Sequence, residues 1–130
     1  LDTIYLVAPT TSAIRAKAIT EVCSGYLYYV SLKGVTGAAL TDHESVASSI
    51  NELRQLTDLP IVIGFGIKDA DSAAAMGGLS DGIIIGSALV ECIADMSPGK
   101  VNEPDLVRSC EVIGAARAAL DGLQEDKAAS

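Results

Sequence analysis

The sequence has 130 residues, of which 49% are hydrophobic and 20% charged, and its formal net charge is −8. A mean hydropathy of +0.37 excludes a disordered chain, and the length suits a single domain. The nine Lys and Arg residues form no basic stripe, so nucleic acid is excluded as a partner. No apolar run approaches the ~18 residues that cross a bilayer, and no signal peptide is recognisable, so no membrane partner is expected.

The sequence has three cysteines, Cys23, Cys92 and Cys110, which is an odd number, and no two of them have CxxC spacing. We interpret them as buried apolar residues of a protein from a reducing compartment, which predicts a cytoplasmic location. A single histidine is too few for a Cys/His zinc site, and neither a metal nor a cofactor is expected.

Four short runs rich in β-branched and aromatic residues predict strands, at residues 3–8, 26–31, 60–64 and 82–86. Each run is nearly continuous in apolar character, which is typical of parallel strands covered on both faces. Capping residues and helical spacing predict helices between and after these strands. The predicted helix starts are Thr11 or Ser12, Thr41 in a capping box with Glu44, Asp69 or Asp71, Ser87, and Asn102 before Pro104.

On the last predicted helix, Leu106, Cys110, Ile113 and Leu120 share one face, which predicts that this face is buried. Residues 124–130 are interpreted as a polar tail, so the folded domain is expected to span residues 1–123.

Strands that alternate with helices predict a parallel sheet joined by right-handed crossovers. Four βα units form either an open doubly wound sheet or half of a (β/α)8 barrel, which typically needs ~250 residues when complete. Periodicity does not separate these two folds.

Three of the four predicted strands end in glycine-rich turns, which lie at residues 34–37, 64–67 and 86–88. Ligands of parallel α/β folds bind at this edge of the sheet. Glycine turns that lead into helices expose backbone N–H groups to an anion, and the Ser87 hydroxyl adds a further donor. Three such turns on one edge favour phosphate binding over the simpler reading that the glycines only make tight turns.

Other polar residues offer no catalytic pair. Asp2, Asp58 and Asp81 come before or at strand starts, which is the wrong end for catalysis. His43 is interpreted as a solvated residue of a first helical turn. No carboxylate lies inside a strand, where an acid or base of raised pKa would be expected.

Five stretches of the chain resemble the C-terminal half of the tryptophan synthase alpha chain. They occur in that family's order at residues 8–11, 25–31, 34–38 (GVTGA), 60–67 (PIVIGFGI) and 81–90 (DGIIIGSALV), and the similarity covers residues 1–123. The resemblance implies that the four strands are the last four of a TIM (β/α)8 barrel.

The family is a lyase of tryptophan biosynthesis that cleaves indole-3-glycerol phosphate to indole and glyceraldehyde 3-phosphate. Its partner is a beta chain that receives the indole. The resemblance therefore implies a small phosphorylated substrate and roles for eight residues. These are Gly37, Gly66, Gly86 and Ser87 for phosphate binding, Phe65 and Ile84 for lining the substrate pocket, Thr36 for closing over the substrate, and Tyr28 as an auxiliary active-site tyrosine.

The family's catalytic Glu and Asp come from the N-terminal half of the barrel, which these 130 residues do not include. The expectation is a chain that keeps the phosphate site and is inactive alone. The alternative is a non-catalytic phosphate-sugar-binding module with an open, flavodoxin-like sheet. Because a half-barrel leaves an apolar inner face and two sheet edges uncovered, a homodimer is also predicted.

Overall fold

A computed structural model describes residues 1–31, 43–64, 66–94 and 103–128. Strands and helices alternate along these ranges, and the four predicted strands are confirmed with slightly shorter bounds. The elements are β1 (Tyr5–Val7), α1 (Ala13–Val22), β2 (Leu27–Val30), α2 (His43–Arg54), β3 (Ile61–Gly64), α3 (Ala70–Gly77), β4 (Gly82–Ile84), α4 (Ser87–Ala94) and α5 (Glu103–Ala128).

Polar side chains begin two of these helices as predicted. The Ser12 side chain accepts a hydrogen bond from the Arg15 N–H at the start of α1. At the start of α3, Asp69 and Ser72 form a reciprocal capping box. The capping box predicted at Thr41 and the start predicted at Asn102 lie outside the described residues. Helix α5 continues to Ala128, so residues 124–128 of the predicted tail are helical.

The sheet is fully parallel, and its strands lie in the order of the chain, β1-β2-β3-β4. A doubly wound sheet of the flavodoxin type reverses its strand order at a switch point, and this sheet has no reversal. The open-sheet alternative is therefore wrong. Successive right-handed crossovers in one direction place every helix on the same face, which is how a barrel is built.

One face of the sheet carries the core. Leu27, Tyr29, Ile61 and Ile63 alternate with the residues of the other face and are almost fully buried. Helices α1, α2, α3 and α5 cover these side chains, so they form the outer layer. Their buried contributions are Ala16, Val46, Ile50, Leu53, Ala73 and Ala116.

The opposite face, here called the inner face, is less covered. Its cross-strand row consists of Leu6, Tyr28, Val62 and Gly82, which are register partners from β1 to β4. Leu6 is 61% exposed, and Tyr28 and Val62 are half-buried. In the described part of the chain, no helix packs on this face.

The predicted buried face of α5 is wrong in part. Cys110 is exposed and Ile113 is 37% exposed, whereas Ala116 is buried and Leu120 contacts α3. The contact of α5 with the rest of the fold centres on Ala116, which joins the core, and on Leu120, which meets Gly77 of α3, and this placement leaves Cys110 and Ile113 exposed. The interpretation of all three cysteines as buried is also wrong, because Cys110 is exposed and Cys23 and Cys92 are only half-buried.

Candidate functional site

The loops that leave β3 and β4 meet at one edge of the sheet. Gly64 and Ile84 are register partners at the ends of these strands, and Gly66 and Gly86 each follow two residues later. The two predicted phosphate-binding glycines therefore leave neighbouring strands at the same edge, here called the C-terminal rim. Gly66 has a φ of 77°, in the left-handed region that favours glycine, so the turn after β3 depends on this residue.

Helix α4 begins directly after β4. The Gly86 carbonyl accepts a hydrogen bond from the Val90 N–H at 3.0 Å, so helical bonding starts at the strand exit. Ser87 is exposed as the first residue of α4, and the neighbouring Ala88 is buried and anchors the turn. The first N–H groups of a helix have no partner within it, and these point toward the rim along with the positive end of the helix dipole.

The predicted substrate-contacting residues Tyr28 and Ile84 both belong to the inner face. Ile84 lies in a row with Gly64 and Val30, one step nearer the rim than the row of Tyr28. The Tyr28 side chain leans along its strand toward the rim, and its hydroxyl occupies the space that a Cβ on Gly64 would take.

Sequence reasoning missed Ser31, which is buried at the end of β2. Its N–H donates to the Gly64 carbonyl at 3.3 Å, and its hydroxyl donates to the same oxygen at 3.5 Å. Ser31 therefore ties the end of β2 to the end of β3. The signal in the sequence is a polar residue directly after an apolar strand and before a glycine-rich turn.

Five of the eight residues implied by the resemblance lie at the rim or on the inner face, namely Tyr28, Gly66, Ile84, Gly86 and Ser87. The other three, Thr36, Gly37 and Phe65, lie outside the described residues.

Asp69, the first residue of the capping box of α3, follows the β3 exit. Hydrogen bonds from the Ser72 hydroxyl (2.6 Å) and the Ser72 N–H (2.8 Å) hold the pKa of this carboxyl below its usual value near 3.8. Lys68 adds a smaller coulombic effect in the same direction. Asp69 is therefore an ionised cap at neutral pH, and a carboxylate held in this form is unsuited to act as a general acid.

The opposite end of the sheet holds a structural carboxylate. Asp81 Oδ2 accepts from the Ile61 N–H at 2.9 Å, and Asp81 Oδ1 accepts from Arg54 Nη2 at 3.2 Å. The Asp81 N–H in turn donates to the Ile61 carbonyl. Asp81 thus joins the starts of β3 and β4 to the end of α2, at the end of the sheet opposite the glycine turns.

A cleft of about 280 Å³ opens in the outer layer between α1 and α2, with Val7, Ala16, Tyr29 and Leu53 among its lining residues. It lies on the opposite face of the sheet from Tyr28 and Ile84, so it is separate from the rim site. Among the residues that the structure describes, no cluster of metal-ligating side chains occurs. The helices of the same residues include none that is long and apolar enough to cross a membrane.

The described strands are parallel and sequential, the helices cover one face of the sheet, and the glycine turns after β3 and β4 lie at one edge. These features define part of a (β/α)8-barrel protein. The sequence model of the tryptophan synthase alpha chain family matches residues 1–118. The chain belongs to this family.

Individual relatives agree with the family match. The chain is 48% identical over 125 residues to the tryptophan synthase alpha chain of Marinobacter nauticus, covering 95% of this chain and 45% of that protein. It is 54% identical over 94 residues to the alpha chain of Methylococcus capsulatus, covering 72% of this chain and 35% of that protein.

Solved structures give the same result. Tryptophan synthase subunit alpha from Legionella pneumophila str. Paris superposes with a TM-score of 0.76 at 35% identity, covering 94% of this chain and 43% of that chain. Tryptophan synthase subunit alpha from Campylobacter jejuni superposes with a TM-score of 0.74 at 28% identity, covering 87% of this chain and 44% of that chain. The chain therefore spans less than half the length of these relatives, and its fold is half of their barrel.

Proposed function

We propose that this chain supplies the phosphate-binding half of an indole-3-glycerol phosphate lyase in tryptophan biosynthesis. The substrate phosphate binds at the C-terminal rim, to the backbone of Gly66 and Gly86 and to the Ser87 hydroxyl. The observation that carries the proposal is the paired register of β3 and β4, which puts both glycine exits beside the start of α4. Phosphate at a helix N-terminus gains both N–H donors and the helix dipole.

The rest of the substrate extends from the rim over the inner face. Ile84 lines the indole and glycerol pocket, and the Tyr28 hydroxyl is an auxiliary polar group beside it. The family resemblance adds three residues to this site. Thr36 belongs to the loop that closes over the substrate, Gly37 contributes to phosphate binding, and Phe65 lines the pocket. The leaning of the Tyr28 ring toward the rim supports this placement.

Cleavage requires residues beyond this set. At the described rim, Asp69 is held in its ionised form by its cap hydrogen bonds. General acid–base catalysis commonly contributes about 10²–10⁴-fold in rate, and the family places its Glu and Asp in the N-terminal half of the barrel. We therefore propose that the 130-residue chain alone binds phosphate without cleaving the substrate, and that cleavage needs the complementary half.

The same proposal covers location and partners. Free cysteines suit a cytoplasmic protein. The beta chain is the partner of the complete barrel, and the uncovered inner face leads us to propose that this chain also self-associates.

Titration calorimetry with glycerol 3-phosphate tests the phosphate site. Ser87→Glu places a negative charge at the start of α4 and is expected to weaken binding at least tenfold. Ser48→Glu is the matched control, because Ser48 is exposed on α2 and takes the same charge away from α4. Equal affinity of the Ser87→Glu variant and the parent chain would remove the site assignment.

Complementation tests the lyase. The chain is mixed with the N-terminal half of a family member that carries the catalytic Glu and Asp, and indole release is followed. Indole is expected from the mixture and from neither half alone. Phosphate binding without indole release in the mixture would instead identify a non-catalytic phosphate-sugar-binding module.

A further inference from the structure

The cleft between α1 and α2 is bounded on both sides by neighbouring elements of this chain. Its floor is the second strand of the sheet, where Tyr29 is 1% exposed, and its volume is about 280 Å³. The exit of β1 and the start of α1 form one wall, and the second half of α2 with the two residues after it forms the other. This volume is close to the lower limit of about 300 Å³ for small-molecule pockets, which suits a ligand with one ring.

Short side chains keep the cleft open. Helix α1 lines it with two alanines, Ala13 and Ala16, whose side chains end at Cβ. The leucines of the opposite wall, Leu53 and Leu56, do not fill the gap, and Leu56 is 38% exposed. Apolar groups that border an unfilled space forfeit dispersion contacts with partner atoms. An apolar group that enters the cleft therefore gains contacts on both walls.

The wall at the exit of β1 is already ordered. The Thr11 N–H donates to the Ala8 carbonyl at 2.8 Å, and the Ala8 N–H donates to Thr11 Oγ1 at 3.1 Å. These two hydrogen bonds close the turn between β1 and α1. On the facing wall, Leu53 is 5% exposed and belongs to the core. A site whose walls are fixed before binding avoids the cost of ordering them.

The α2 wall also carries a polar row, which consists of Ser49, Glu52 and Gln55. These residues recur every three positions, so they lie along one side of α2 and the turn that follows it. Glu52 is the single charged residue of the described lining, and it is exposed. Arg54 and Arg117, the basic residues that form ion pairs within the described ranges, pair with other carboxylates. The net charge of −8 also attracts cations to the chain over a longer range.

We propose that this cleft binds a small organic ammonium ion. The apolar body of the ligand lies between Ala13 and Leu56, above the Tyr29 ring. Its ammonium group donates hydrogen bonds to the Glu52 carboxylate and the Ser49 hydroxyl. The cleft lies on the other face of the sheet from the rim site, so this proposal is independent of phosphate binding and of the lyase reaction.

Three probes of similar size test the charge preference. Phenethylamine carries an ammonium group at neutral pH, 2-phenylethanol is neutral, and phenylacetate is negatively charged. Each is titrated into the 130-residue chain and followed by the amide chemical shifts in heteronuclear NMR spectra. Phenethylamine is expected to shift amides within residues 8–16 and 49–56. It is expected to bind at least threefold more tightly than 2-phenylethanol and at least tenfold more tightly than phenylacetate.

Two matched pairs of variants locate the site. Ala13→Leu fills the cleft and is expected to weaken phenethylamine binding at least tenfold, whereas Ala18→Leu makes the same change at an exposed position of α1 outside the lining and is expected to bind as the parent does. Glu52→Gln is expected to remove the preference for phenethylamine over 2-phenylethanol. Glu21→Gln, which is exposed on α1 and outside the lining, is expected to retain it. Circular dichroism verifies that the four variants fold.

Several outcomes would overturn the proposal. One is the absence of amide shifts at 10 mM phenethylamine, and another is equal affinity for the three probes. Binding that Ala13→Leu or Glu52→Gln leaves unchanged would place the ligand elsewhere, as would shifts confined to residues outside the cleft. None of these outcomes alters the glycerol 3-phosphate titration, so failure here is distinguishable from failure of the proposed rim site.

Discussion

The Tyr28 hydroxyl lies directly over the Cα of Gly64. Gly64 is on the neighbouring strand β3, two residues nearer the rim than Val62, the register partner of Tyr28. The lack of a side chain at Gly64 lets the tyrosine ring lie across β3, and Ser31, directly after β2, donates two hydrogen bonds to the carbonyl of the same glycine. A glycine in a buried strand costs conformational entropy and packing, so a close contact of this kind explains its presence.

The first prediction concerns this pair. Gly64→Ala introduces a methyl group into the space of the Tyr28 ring, and we expect a loss of about 1–3 kcal/mol in the free energy of unfolding because the ring must move. Combining it with Tyr28→Val, which removes the ring, should restore at least 1 kcal/mol relative to additivity. Urea denaturation of the four proteins in the cycle measures this coupling.

Gly82→Ala is the matched control on the same face. A Cβ there would meet the Val62 side chain at 3.5 Å, which is an ordinary contact, so this change should cost less than Gly64→Ala. Additive effects of the Gly64 and Tyr28 substitutions would show that the contact carries no coupling energy.

Asp81 provides the second prediction. Asp81→Ala leaves the Ile61 N–H without its carboxylate partner at a partly buried position, and we expect about 1–3 kcal/mol of destabilisation in urea. Arg54→Ala breaks only the exposed ion pair and should cost less than about 1 kcal/mol. Equal losses for the two variants would mean that the ion pair, and not the backbone contact, carries the effect.

The third prediction is a pH dependence at Asp69. Its folded-state pKa lies below the unfolded value near 3.8, so the unfolded state binds more protons and stability rises with pH. Asp69→Ala is expected to cost about 1 kcal/mol at pH 7, as is typical for an N-cap. The difference from the parent should shrink as the pH falls from about 4 through the folded-state pKa, in thermal melts at each pH. A difference that stays constant from pH 7 to pH 3 would contradict the assignment.

The fourth prediction concerns the contact between α3 and α5. A Cβ on Gly77 would collide with Leu120, so Gly77→Ala should destabilise the fold, and adding Leu120→Ala should recover part of the loss. Gly114→Ala is the control, because its Cβ would meet nothing within 4 Å. Within a helix that change should stabilise the protein by about 0.5–1 kcal/mol in urea. Destabilisation by Gly114→Ala would show that α5 packs differently there.

The order of strands and helices followed from the sequence because each strand is a short, continuous apolar run. Cap residues such as Ser12 and Asp69 begin helices through hydrogen bonds to residues three positions along the chain, so the sequence alone predicts them. The resemblance supplied the barrel, and strand order then excluded the open sheet. Nothing local in the sequence distinguishes those two folds.

Long-range contacts were the part that periodicity could not provide. Tyr28 and Gly64 contact each other from different strands, and in the sequence each residue alone is typical of an ordinary buried strand. The exposure of Cys110 depends on which part of α5 packs on the other elements, and helical spacing does not encode that. Ser31 was overlooked for a related reason, since its bonding partner is a backbone carbonyl that any residue would offer.

The order β1-β2-β3-β4 also bears on synthesis at the ribosome. Tyr5 pairs with Leu27, and Val62 pairs with Gly82, so each pair of neighbouring strands is separated by one loop-and-helix segment. The chain can thus add one βα unit at a time as it emerges, each new strand docking on an edge already formed. Until the next strand docks, each newly formed edge strand leaves its outward N–H and C=O groups unpaired, so the interval between successive strands is the period of greatest exposure to misfolding.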